Sequence, residues 1–470
     1  MSKAREFELG MIGLGTMGMN LLLNLADHGH SVAGYARNPA QVERLRALPA
    51  DNIQGFDDLA HFVAALRRPR VVLLLVPAGA VVDTVVAGLR PLLKRGDFIV
   101  DAGNSFYRDT MRRIDELAPD GIEFVGMGVS GGESGARHGP SMMPGGSENS
   151  WRRLRLVLES AAARAGDDPC VALMGAGAAG HYVKMIHNGI EYALMQMLAE
   201  CYDLMRRRLG MNNDEMASEF ARWNAGRLRS YLVEITVEVL RTPDPEGGGA
   251  LIDAVLDRAK AKGTGKWSSQ DAMDLGVPVP AIDAAVTARS LSAYKAQREQ
   301  LAPLYSSPVV STADRVIVLK ALEDAYYSGA WIAYAQGLGQ IAHASAEYGF
   351  GTDLATVARI WRAGCIIRAA ILDPMAAALA ADPAAASLLC APVVVQALNA
   401  GVAGLRATLC EAIAAGLPVP ALAAALAYFD GMRSARLPAN LIQGQRDHFG
   451  AHTYERIDRE GVFHSAWGVS

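Results

Sequence analysis

Phe7-Glu8-Leu9-Gly10-Met11-Ile12, followed at once by Gly13-Leu14-Gly15-Thr16-Met17-Gly18, is the stretch on which the fold turns. An apolar run of strand length gives way to glycines spaced GxGxxG, and a helical pattern over residues 17–29 opens on the last of them. In that context the first glycine permits a tight turn and the second lets backbone approach a pyrophosphate. The third lets helix and strand pack closely. The helix N-terminus adds amide donors and the positive end of its dipole. Gly13, Leu14, Gly15, Thr16, Met17 and Gly18 are therefore candidate dinucleotide contacts.

Working outward, residues 31–35, 70–76, 97–100 and 122–125 read as further buried strands, with helical patterns such as 80–93 between them. Strand–helix alternation at this spacing predicts an α/β Rossmann-type domain with a parallel, doubly wound sheet. Residues 71–89 are almost wholly apolar, yet Pro77, Gly79 and Asp83 divide them into a strand and an amphipathic helix rather than a membrane span. A glycine- and alanine-rich hinge at 175–180 ends the alternation. Beyond it helical periodicity dominates, over 179–208, 216–240, 312–348 and alanine-rich stretches within 353–429. The expected organisation is a dinucleotide-binding domain over 1–178, a large all-α domain over 179–435 and a C-terminal tail over 436–470. Residues 241–249 (RTPDPEGGG) read as an exposed loop. The tail has no clear helical face, but its aromatic content predicts that it docks.

Half of the 470 residues are apolar and the formal net charge is −4, a length that favours more than one folded unit. The balance leaves no electrostatic footprint for nucleic acid or an anionic membrane. Five scattered cysteines without metal-ligand or redox spacing read as reduced thiols of a cytoplasmic protein. The first eight residues lack the apolar run of a signal peptide.

Several further constellations carry chemistry. The second strand ends at Ala36-Arg37-Asn38, where an NAD site would usually place Asp or Glu. The acid is missing and Arg37 can pair with a 2′-phosphate, so NADP is favoured over NAD. Helical spacing places Lys184, His187, Asn188, Glu191 and Tyr192 on one face, with Met185, Ile186 and Ile190 opposite. Lys and Glu alone would suit a solvated face. His, Asn and Tyr beside them make a donor–acceptor set for a polyhydroxylated ligand on an otherwise apolar helix. Lys262-Gly263-Thr264-Gly265-Lys266-Trp267 lacks Walker spacing but can offer amides and a cation to a phosphate. Asn104, and Ser130-Gly131-Gly132, follow strand ends, where open parallel sheets bind ligands. No His, Asp or Glu cluster is arranged to hold a metal.

Taken together, Asp101-Ala102-Gly103-Asn104-Ser105, residues 128–146 (GVSGGESGARHGPSMMPGG), 180–192 (GHYVKMIHNGIEY), KGTGKW and 437–455 (LPANLIQGQRDHFGAHTYE) resemble the signatures of the 6-phosphogluconate dehydrogenase family over essentially the whole chain. The resemblance implies oxidative decarboxylation of 6-phospho-D-gluconate with NADP, in a homodimer whose tails thread into the partner subunit. It places the general base at Lys184 and the general acid at Glu191. Substrate contacts fall at Asn104, Ser130, Gly131, Gly132, His187 and Asn188. Phosphate contacts fall at Tyr192, Lys262, Thr264 and Arg289, with Arg446 and His452 from the other subunit. Cofactor contacts extend to Ala36, Arg37, Asn38, Val76, Pro77, Ala78 and Asn104. Two departures stand out. Ala36-Arg37-Asn38 replaces the family's usual Asn-Arg-Thr or Asn-Arg-Ser, and Pro77 stands where a lysine is common. Shorter dehydrogenases of the hydroxyisobutyrate type share the glycine loop and lysine, but lack the helical extension, the KGTGKW loop and the tail.

Overall fold

The computed structural model describes residues 6–260, 263–306, 308 and 312–468. The chain divides into two compact units, Met1–Ala425 and Leu426–Ser470.

Seven strands form the main sheet of the first unit: β1 (Leu9–Ile12), β2 (Val32–Tyr35), β3 (Ile53–Phe56), β4 (Val71–Leu74), β5 (Phe98–Asp101), β6 (Glu123–Ser130) and β7 (Ser141–Gly145). Their order is 3-2-1-4-5-6-7, parallel except for β7, which runs antiparallel to β6. Along β4 the side chains alternate between two cores. Val71 and Leu73 pack on one face, Val72 and Leu74 on the other, as expected for a strand covered on both sides. The apolar stretch after residue 70 resolves into β4 and the helix Ala80–Leu89, which buries Val82, Val86 and Leu89. Because β1 and β4 are neighbours whose onward strands lie on opposite sides, the sheet reverses between them, and the glycine loop lies at that switch point.

Two strands of this sheet were not anticipated. β3 has only Ile53 and Phe56 as large apolar residues, and β7 contains Pro144 and Gly145. Both are sheet edges, where a missing donor or a weak apolar pattern is tolerated.

The helical part follows. The helix Ala179–Asp203 continues into a wider turn, Leu204–Arg208. The single helix expected over 216–240 is two, Asn213–Asn224 and Tyr231–Arg241. A turn through Gly226 separates them, and the Ser230 hydroxyl caps the second by accepting from Val233 N. Residues 242–250 form a largely exposed loop. Pro392–Ala414 is long and apolar enough by composition to cross a membrane, and it lies along the helix Arg315–Glu347. Gly401 and Gly404 permit that approach, since a Cβ at either would meet Ser328 or Asp324.

The second unit holds a helix that the sequence pattern did not reveal, Ala439–Gly450, and a short hairpin, Tyr454–Glu455 with Val462–Phe463. Its organiser is polar. Buried Asp447 accepts hydrogen bonds from Thr453 N, Ser465 N and Trp467 Nε1, with His464 Nδ1 at 2.9 Å.

Candidate active site

Each glycine of the first loop has a separate reason to be glycine. At Gly13, φ is +98° and a Cβ would stand 2.4 Å from Leu75 O. A Cβ on Gly18 would fall 1.8 Å from Gly13 O, whereas Gly15 faces open space. The helix Thr16–Asp27 has no side-chain cap and no acid in its first turn, so its leading amides are free for an anion. A cleft of about 510 Å³ opens there, lined by Gly13, Leu14, Gly15, Ala36, Arg37, Asn38, Val76 and Pro77. Thr16, Met17, Gly18 and Ala78 are not in its wall. Arg37 is exposed and has no ion-pair partner among the described residues. Asn38 has a duty that sequence reading missed, since its side chain caps the helix Pro39–Arg46 by accepting from Ala40 N.

The loops after β5 and β6 continue the same sheet edge. Asn104 is exposed at the tip of a turn held by the buried Asp101 carboxylate, which accepts from Gly103 N and Ser105 Oγ. A Cβ on Gly103 would stand 3.2 Å from Val76 O, so this turn adjoins the cofactor cleft. Gly131 and Gly132, after β6, take φ of +125° and +64°, values that only glycine adopts freely.

The helix Ala179–Asp203 is pressed onto β6 and β7. Cβ atoms on Gly126, Gly128, Gly145 or Gly180 would each come within 2.7 Å of the opposing segment. Glycines in the segments 128–146 and 180–192 are thus the means by which helix and strands touch. The contact buries Lys184 and His187 completely enough that water is largely excluded.

The Lys184 amine donates to Asn188 Oδ1 at 2.7 Å and lies 3.3 Å from His187 Nδ1. On the far side of the ring, His187 Nε2 is 3.2 Å from Ser130 Oγ, which also accepts from Ile366 N. Asn188 Oδ1 at 3.2 Å and Glu191 Oε2 at 3.8 Å face Nδ1, an arrangement suited to the Nδ1–H tautomer with Nε2 accepting from Ser130. Trp361 packs edge-on against the ring.

Burial pushes the Lys184 pKa below the ordinary lysine value, with the Glu191 carboxylate and Cys365 pulling the other way. Burial, then the charge of Lys184, holds His187 well below its usual range, so the imidazole is neutral. Glu191, 21% exposed, is pushed up by burial against the opposing effects of Lys184 and Arg289. An amine made easier to deprotonate and a carboxyl group that keeps its proton longer therefore sit two helical turns apart on one helix.

The anion-binding candidates gather beside this face. Arg289 stacks 3.4 Å from the centre of the Tyr192 ring. Gly263, at φ +97°, precedes the helix Thr264–Leu275, and Thr264 is nearly buried. Gly265 lies against Tyr192, where a Cβ would meet the ring at 2.6 Å. Lys262 lies outside the described residues. Arg446 and His452 belong to the second unit, where both are exposed. Among the described residues, no group of His, Cys, Asp or Glu could hold a metal ion.

A Rossmann-type glycine loop, a neighbouring cleft and a buried lysine on the same helix as a carboxylic acid of raised pKa define a dinucleotide-dependent oxidoreductase. Two family profiles match the chain, "NAD binding domain of 6-phosphogluconate dehydrogenase" over residues 8–175 and "6-phosphogluconate dehydrogenase, C-terminal domain" over 180–467. A decarboxylating 6-phosphogluconate dehydrogenase of Lactococcus lactis is 46% identical, covering 98% of this chain and 99% of its own. Bacillus subtilis supplies an NADP(+)-dependent relative at 44% and an NAD(+)-dependent one at 45%, each over 98% of this chain and 99% of its own. The solved 6-phosphogluconate dehydrogenase of Plasmodium falciparum, studied in complexes with NADP+ and with 6-phosphogluconate, superposes with a TM-score of 0.94. It is 38% identical and covers 98% of this chain and 100% of its own. The chain belongs to the 6-phosphogluconate dehydrogenase family.

Proposed function

We propose that this protein oxidises and decarboxylates 6-phospho-D-gluconate to ribulose 5-phosphate and carbon dioxide with NADP, using Lys184 as base and Glu191 as acid. One observation carries the reading: the Lys184 amine is buried on a glycine-seated helix, two turns from a carboxylic acid whose pKa is raised.

The cleft fits a dinucleotide, since Gly15 leaves room above uncapped helix amides and Arg37 is free to meet a 2′-phosphate. Overall identity does not separate NADP from NAD, because relatives of both kinds stand equally near. Arg37, with no acid beside it, favours NADP. Bound there, the cofactor supplies the hydride acceptor.

The rest falls to the side chains. Neutral Lys184 Nζ takes the proton of the substrate's 3-hydroxyl as hydride leaves carbon 3. The resulting 3-keto acid loses its carboxylate as carbon dioxide, with the bonding electrons flowing toward the ketone. The Lys184 ammonium then stabilises the developing enolate oxygen, and Glu191 protonates the substrate's former carbon 2, which becomes carbon 1 of ribulose 5-phosphate. Ser130, Gly131, Gly132, Asn104, His187 and Asn188 orient the sugar acid. Tyr192, Lys262, Thr264 and Arg289 take the phosphate, joined by the partner's Arg446 and the partner's His452 in a homodimer with exchanged tails. Five free cysteines agree with a cytoplasmic protein.

The test is the absorbance of reduced cofactor with 6-phosphogluconate, with NADP and NAD compared and short hydroxy acids as controls. Reduction of NADP by 6-phosphogluconate alone supports the reading. No reduction with that substrate overturns it.

A further inference from the structure

Asp271, on the helix Thr264–Leu275, is 2% exposed and has three phenols around its carboxylate. Tyr107 donates to Oδ1 at 2.5 Å, Tyr182 to Oδ2 at 2.5 Å and Tyr348 to Oδ1 at 3.3 Å. Each phenol comes from a different element. Tyr107 opens the helix Tyr107–Leu117, three residues beyond Asn104, and Tyr182 lies two residues before Lys184. Tyr348 ends the helix Arg315–Glu347. Their rings also pack on one another, with centroids 5.0 to 6.1 Å apart. Burial, together with the neighbouring carboxylate, pushes the Tyr107 and Tyr182 hydroxyls above the usual phenol range, so both stay protonated as donors.

The junction fixes a particular register. Asp271 lies two helical turns beyond Thr264, so the same helix carries a phosphate-contact candidate at its start and the phenol-binding carboxylate further along. Trp267, between them, packs on Phe106 with centroids 5.0 Å apart. Four elements that carry Asn104, Lys184, Thr264 and the long helix therefore converge on one buried anion. Three directional bonds to one carboxylate restrict sliding and rotation in a way that apolar packing does not.

We propose that Asp271 is a positioning residue for the phosphate end of the substrate, setting the helix Thr264–Leu275 against the Lys184 helix and the Asn104 turn. The inference rests on the reading of Thr264 as a phosphate contact. Asp271→Asn replaces one acceptor oxygen by a donor and so breaks at least one phenol bond. Tyr182→Phe removes a single hydroxyl and leaves the charge. In each variant KM for 6-phosphogluconate rises about tenfold, the effect of one charge-assisted hydrogen bond, while kcat changes much less and Kd for NADP does not move. A residue that merely held the fold together would not single out one substrate.

Thr264→Val, measured alongside, separates the two layers of the argument. If Thr264→Val raises KM for 6-phosphogluconate and the two junction variants do not, the positioning role is overturned. The same follows if the junction variants weaken substrate, cofactor and kcat alike. If Thr264→Val leaves KM unchanged, the phosphate reading fails and the role built on it fails too. Should Asp271→Asn not fold, as judged by thermal unfolding, Tyr182→Phe carries the test alone.

Discussion

Gly128 lies flat against Lys184: a Cβ added at Gly128 would stand 2.2 Å from the Lys184 Cβ and 2.8 Å from its Cγ. The stem of the buried lysine is thus seated on the β6 backbone. Lys184 is buried there, and its depressed pKa follows from that burial.

Gly128→Ala is the simplest disturbance of this seat. The helix must shift by a fraction of an ångström or more, at a cost of about 1–3 kcal/mol in stability. Turnover should fall on the order of 10²-fold, because the base moves relative to a fixed substrate. NADP binding should stay near wild type. Calorimetry and steady-state kinetics on the same preparation check both, and unchanged turnover would show that the contact has no role in placing the amine.

Glu191→Gln separates the two titrating groups. Turnover drops by about 10²–10⁴-fold with loss of the proton donor. The residual activity carries a second signature. The base must be neutral, so activity is lost as pH falls through the Lys184 pKa, and the Glu191 carboxylate raises that pKa. Removing the carboxylate lowers it further, and the acid limb of kcat/KM should move to lower pH. A limb that stays or moves upward contradicts the pairing.

Arg37→Ala addresses the cofactor. Losing a charge-assisted contact to a 2′-phosphate costs about 1.5–3 kcal/mol, so the ratio of NADP to NAD efficiency should fall about 10- to 100-fold. The change should come from weaker NADP rather than better NAD. If the ratio is unchanged, Arg37 does not read the 2′-phosphate.

The proposed tail exchange makes a prediction about mixtures. Under that proposal Lys184→Met and Arg446→Ala should each be inactive as homodimers. Re-associated together, they form heterodimers with one complete site, and about a quarter of wild-type activity returns. No recovery in a mixture shown to exchange subunits means that Arg446 serves its own chain.

The sequence revealed elements whose pattern is local. The glycine loop, the buried strands β1 and β4, and the polar face from Lys184 to Tyr192 all stand where periodicity and glycine spacing placed them. It concealed features whose cause lies far along the chain. β7 contains Pro144 and is a strand because β6 and the Gly180 backbone accept it. The tail helix is organised by Asp447, whose partners lie 6 to 20 residues away. No local pattern marks Asp271, because its phenols lie 77 to 164 residues distant. Asn38, named as a cofactor contact and lining the cleft, also caps the helix Pro39–Arg46 by accepting from Ala40 N, and the Asn-Pro pair at a helix start was the available signal.

The most direct measurement is the turnover of 6-phosphogluconate by Lys184→Met, followed by reduced-cofactor absorbance and paired with NADP binding. Methionine keeps the buried stem and removes the amine. The predicted result is a loss of at least about 10³-fold in kcat with Kd for NADP unchanged. Turnover close to wild type would mean that another group takes the proton, and the role assigned to Lys184 would be wrong.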